Sequence, residues 1–249
     1  MAYLETFDFF WLVTLFQWGV VVWLGLRNGL IRRYSLVFVY VFWGIFGTGI
    51  ALGIAQSRFA SQSETYALLY FSEALISTSL AAVVILRIYA IIHPFSWRRD
   101  WHLALVPLFL GGLILFDPNP MRLSVKLVNA GHVTLMYFGC ATLFEMRRSR
   151  EVDLGWNLKM VLLAVTLPAG FFTFIFMGYT MALPIPYEGV RLWSKGVSVA
   201  YWLILAAAMI EYSPPRRLEA KRNSAGGARV VDSGRESKPS TENLEVVRL

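Results

Sequence analysis

Residues 66–92 read Y-A-L-L-Y-F-S-E-A-L-I-S-T-S-L-A-A-V-V-I-L-R-I-Y-A-I-I. A helix needs about 20 apolar residues to cross ~30 Å of hydrocarbon, and this run is long enough. One residue contradicts that setting. An ionised Glu73 in lipid costs several kcal/mol unless it faces protein or water, finds a partner, or takes up a proton. The run therefore predicts a membrane helix, and Glu73 predicts that one of its faces is turned to something other than lipid.

The rest of the chain fits the same medium. Of its 249 residues, 57% are hydrophobic and 16% are charged, against roughly 25% charged in a soluble domain. The apolar residues fall into blocks separated by short polar connectors. Seven spans are expected, at about Phe7–Leu26, Ser35–Ala55, Tyr66–Ala90, Trp101–Phe116, Val125–Phe144, Met160–Met181 and Gly196–Ile210. The fourth is the shortest and contains Pro107, Gly111 and Gly112. The predicted fold class is an all-α integral membrane protein, a seven-transmembrane-helix bundle over residues 1–212. Residues 213–249 are rich in Ser, Gly, Pro and charge without apolar period, and are expected to form a disordered basic cytoplasmic tail.

Charge sets the expected direction. Arg27, Arg32, Arg33, Arg87, Arg98, Arg99, Arg147, Arg148, Arg150 and Lys159 lie in alternate connectors, and Arg216, Arg217, Lys221 and Arg222 follow the last span. Arg58, Arg122, Lys126, Arg191 and Lys195 fall on the other side and are outnumbered. The N-terminus is thus expected outside and the C-terminus in the cytoplasm. The first residues carry no Lys or Arg before the apolar run, unlike the basic start of a cleaved signal peptide. The same charge pattern accounts for the net charge of +7 without nucleic acid as a partner. A plasma membrane or bacterial inner membrane is the expected location.

Several polar residues are predicted at similar depth toward the outer end. Tyr70, Glu73 and Ser77 share one helical face by their spacing. Asn129 and His132 follow the start of the fifth span, Gln17 lies on the first, and Tyr179 lies on the outer half of the sixth. Lys126 and Lys195 stand at the mouths of the fifth and seventh spans as possible ion-pair partners of Glu73. The inner halves of most spans are plain Leu, Val, Ile, Ala and Phe. This pattern predicts an outward-opening polar pocket rather than a continuous channel. Gly49 and Gly53 form a G-x-x-x-G pair suited to close helix contact, and Pro168 is expected to bend its helix.

The chain resembles rhodopsins and hormone-type receptors in expected topology alone. A retinal Schiff base needs a buried lysine on the last span, and residues 196–210 contain none. With one cysteine, Cys140, a disulfide or C-x-x-C pair is excluded. No H-E-x-x-H, P-loop or G-x-S-x-G motif occurs, so no cofactor or metal is expected and an enzyme is the weaker reading. Three function classes remain. The favoured one is a receptor or sensor-like protein binding a small or amphipathic ligand in the outer pocket. A small-solute or proton-coupled transporter would use Glu73 as the exchanging carboxylate. An assembly or scaffold subunit would use it to pair with a neighbouring helix. Expected partners are membrane lipids, a small ligand, or another membrane or cytoplasmic protein.

Overall fold

The computed structural model describes residues 2–51, 64–116, 123–149, 152–180, 187–213 and 215–217. Helix α1 (Ala2–Arg27) ends at Asn28-Gly29, where Gly29 takes the left-handed φ of 63° that a side chain would resist. A short α2 (Leu30–Arg33) and α3 (Ser35–Trp43) follow, and α3 widens into a π-helical segment over Gly44–Ala51. Helix α4 (Glu64–Ile92) stops before His93-Pro94, because proline disfavours helical geometry in the residue ahead of it. Then come α5 (Trp97–Asp100), α6 (His102–Leu115), α7 (Leu123–Arg148), α8 (Gly155–Thr180) and α9 (Tyr187–Ala208). Two short strands, β1 (Val152–Asp153) and β2 (Arg216–Arg217), pair antiparallel. β2 lies at the start of the segment expected to be a tail; residues 218–249 are outside the described residues.

The helices pack in a chain of neighbours: α3 on α4, α4 on α7, α7 on α8, α8 on α9 and α9 on α1, with α6 on the flank of α7. The seams hold fully buried Val21, Phe38, Ile85, Leu158, Leu162 and Leu205. Two glycines of α7 let backbones come close. A methyl group at Gly131 would press on Thr78 of α4, and one at Gly139 would collide with Thr166 of α8. The outside of the bundle is apolar too: Phe16, Leu108, Phe116 and Phe174 are each at least 70% exposed. Helices apolar on both faces do not match water as a solvent. The exterior supports association with a membrane.

The seven-helix bundle expected from sequence is corrected. Among the described residues, three helices are long and apolar enough to cross a membrane: Leu68–Ile92, Val125–Arg148 and Gly155–Gly178. Val13–Arg27 and Ser35–Gly47 are shorter apolar helices. Apolar composition alone did not report helix length. Helix α6 has 14 residues, a rise of about 21 Å against ~30 Å of hydrocarbon. Helix α3 is regular for only 9 residues. Helix α9 spends its first turns on Glu188, Arg191 and Lys195, which shortens its apolar part. The direction of insertion inferred from seven spans lapses with them. Gly53 of the proposed glycine pair lies outside the described residues.

One end of the bundle gathers the basic residues. The C-terminal ends of α1, α4, α7 and α9 meet there with the N-terminal end of α8. Asn28 donates to the carbonyls of Met209 and Ile210, both at 2.7 Å. His93 lies 3.1 Å from Glu145, and Lys159 lies 2.7 Å from Asp153. The Arg33 guanidinium sits 3.8 Å over the Tyr212 ring. This end fixes which half of the bundle is left for a site.

Candidate functional site

Away from the basic end, the helices separate around a cavity of about 750 Å³. Helix α4 contributes Tyr70, Glu73 and Ser77, and α7 contributes Asn129 and His132. Helix α9 contributes Lys195, Ser198, Tyr201 and Trp202. Trp18 of α1, Tyr40 of α3 and Phe172 of α8 complete the aromatic part of the wall. These side chains converge because i, i+3 and i+4 positions share a helix face. The floor lies at Ala81, Leu135 and Val165, above fully buried Ile85, Leu162 and Leu205.

One polar pair in the wall is joined by a hydrogen bond. Ser77 donates to the Glu73 carboxylate at 2.5 Å, one turn along the same helix. Tyr40 of α3 is set against Tyr201 of α9. Their rings meet edge to face at 6.4 Å and 83°. Trp18 and Trp202 make a similar contact at 5.8 Å and 65°. The His132 ring lies on Phe172 with centroids 4.9 Å apart. The cavity is thus apolar and aromatic over most of its wall, with an acid, an amine, an imidazole and an amide among its lining residues.

Not every residue singled out by sequence reaches it. Gln17 is buried, but its amide turns to α9 and donates to the Val199 carbonyl at 3.3 Å. Lys126 is half-buried on α7 outside the cavity wall. Tyr179 belongs to α8 by its backbone, but its side chain lies outside the described residues. Trp18, Tyr40 and Phe172 were missed as candidates, because aromatic residues in apolar helices carry no sign of their orientation. Among the described residues, no group of three or more His, Cys, Asp or Glu side chains is placed to hold a metal ion. Comparison with protein-family models, with curated proteins and with solved structures gives no match. The functional reading is carried by the cavity's own chemistry.

The basic end holds a second polar cluster of a different kind. Asp100 is fully buried and accepts hydrogen bonds from Tyr89 Oη and Arg99 Nε at 2.8 Å, and from the Ser96 amide at 2.7 Å. Burial pushes its carboxyl up, but Arg99, the Ser96 amide and Tyr89 outweigh burial and hold it down at about 2. Asn157 donates to the Ala208 and Glu211 carbonyls and accepts from the Ser213 amide at 2.6 Å, closing the open end of α9. With every partner supplied by neighbouring backbone or side chains, this cluster ties helix ends together.

Proposed function

We propose that the protein is a multi-pass cell-membrane receptor or sensor-like protein that binds a small or amphipathic molecule in its interhelical cavity. The observation that carries this reading is a cavity of about 750 Å³, within the roughly 300–1,000 Å³ common for small-molecule sites. Its mostly apolar wall with a few placed polar groups is the usual composition of such sites. The apolar exterior supports a lipid setting, from which an amphipathic molecule can enter between helices. The packed side chains of Ile85, Leu162 and Leu205 beneath the floor favour a molecule that stays over one that passes through. Basic helix ends on the far side offer a surface for a signalling partner.

Native mass spectrometry of the gently extracted protein tests this reading. Wild type is expected to retain a small organic mass. Ala74→Phe, which fills the cavity wall, is expected to lose it while unfolding at a similar temperature. A wild-type protein that carries no such mass, and that no added amphiphile stabilises against heat, overturns the reading.

A further inference from the structure

Helix α4 is long enough to cross a membrane over Leu68–Ile92, so the residues that follow emerge at the level of the lipid headgroups. They read His93-Pro94-Phe95-Ser96-Trp97-Arg98-Arg99-Asp100 and form a braced turn. Its brace is Asp100, buried and bonded to Tyr89 of α4, to the Ser96 amide and to Arg99. Arg99 reaches on to the Pro94 carbonyl at 3.0 Å, and His93 is held against Glu145 of α7. Held from within, the turn displays Phe95 and Trp97 outward, 58% and 67% exposed, with ring centroids 6.5 Å apart. Arg98 beside them is exposed. Asp100, the one acid of the turn, is matched by Arg99, which leaves the Arg98 charge in excess. Arg148 at the end of α7 is also exposed and lies 3.9 Å from Glu145, the residue that His93 meets. A second arginine thus stands on the same rim.

We propose that Phe95, Trp97 and Arg98 form a binding site for an anionic phospholipid of the leaflet at the basic end. A tryptophan at headgroup depth sets its ring against the acyl boundary and its N–H toward water. An arginine beside it binds a phosphate through its forked N–H groups. A zwitterionic headgroup brings its own ammonium to the phosphate and gains little from added positive charge, whereas an anionic one gains in full. Position favours lipid over a soluble protein as the occupant. The aromatic pair sits where α4 leaves the hydrocarbon, and Trp and Phe exposed there meet headgroups first. The inference rests on the membrane setting of the bundle and not on a ligand in the cavity.

The test uses the full-length protein in nanodiscs of phosphatidylcholine and phosphatidylglycerol in equal parts. Native mass spectrometry reads which lipids stay bound when the disc is stripped away. Wild type is expected to retain phosphatidylglycerol well above its share. Arg98→Gln is expected to lower that retention by about fivefold, the effect of one basic residue near a charged surface. Trp97→Ser is expected to weaken retention of both lipids. Arg32 of α2 is exposed at the same end, and Arg32→Gln is expected to leave retention unchanged. Equal loss in Arg32→Gln and Arg98→Gln overturns the turn as a site. All three side chains are exposed, and unchanged thermal unfolding shows that each variant keeps the fold. A wild-type protein that enters the disc but retains the two lipids in proportion to the mixture overturns the lipid site alone. One that does not enter the disc overturns the membrane setting with it. Photocrosslinking from position 97 in cells that captures a soluble protein rather than lipid also overturns the site.

Discussion

At the scale of single residues, Asp100 supplies a contribution to stability that pH can switch off. Its folded carboxyl sits at about 2 against an ordinary 3.8, so folding favours the ionised form. A lowered acid stabilises fully above its unfolded value and loses that contribution as pH falls through its folded value. The shift corresponds to roughly 2 kcal/mol. Asp100→Asn is therefore expected to cost about 2 kcal/mol in unfolding measured in mixed micelles at neutral pH. Its gap to wild type is expected to close between about pH 4 and pH 2; a gap that stays constant across that window contradicts the assignment. Asn157 makes a separate prediction. Asn157→Ala removes three hydrogen bonds at about 1 kcal/mol each, while Asn157→Asp keeps the acceptor for Ser213 but turns a carboxylate oxygen toward the Ala208 and Glu211 carbonyls and is expected to lose at least as much. An Asn157→Asp protein as stable as wild type, read by thermal unfolding, counts against the hydrogen-bond account. Neither residue stood out in the sequence. Both lie in or beside connectors, where a polar residue is ordinary and burial leaves no trace. Glu73, Asn129 and His132 did stand out, because each interrupts an apolar run. Gln17 interrupts one too, and the structure turns it toward Val199: sequence marks the anomaly, not the direction it faces.

Among the elements, α4, α7 and α8 carry the membrane-length part of the fold, and α7 lies between the other two. Its seam with α8 depends on the missing side chain at Gly139, since an added methyl meets Thr166. Gly139→Ala is expected to destabilise by about 1–3 kcal/mol through overpacking, despite alanine's better helix propensity. Pairing it with Thr166→Ala, which removes both the hydroxyl and the methyl that the added group meets, is expected to restore part of the loss. Thermal unfolding of both variants checks this, and an unaffected single variant contradicts the close seam. The three long runs were readable because their apolar content and helical length coincide. Three of the other expected spans failed where the two part company: α6 is short, α3 gives way to a widened turn, and α9 begins with charge; of α1, the described apolar part is Val13–Arg27. The close pairs at Gly131 and Gly139 were not readable, because a glycine's partner lies on another helix.

For the molecule as a whole, apolar surface inside and out makes membrane association the first property to check. Alkaline carbonate is expected to leave the protein in the membrane pellet, and mild detergent to release it. Release by carbonate alone contradicts a lipid-embedded bundle. Packed apolar side chains fill the bundle near its basic end, and the charged and aromatic cavity occupies the other half. Ligand binding in this cavity is the reading on which the proposed function rests. Thiol labelling of Ser77→Cys on a Cys140→Ala background, with and without a single-chain amphiphile that stabilises the protein against heat, beside Ser149→Cys at the basic end, tests it at the cavity wall itself. The amphiphile is expected to slow labelling at position 77 by about tenfold, in proportion to occupancy, and to leave position 149 unchanged. Equal labelling of position 77 with and without the amphiphile, or equal protection of both positions, contradicts ligand binding there.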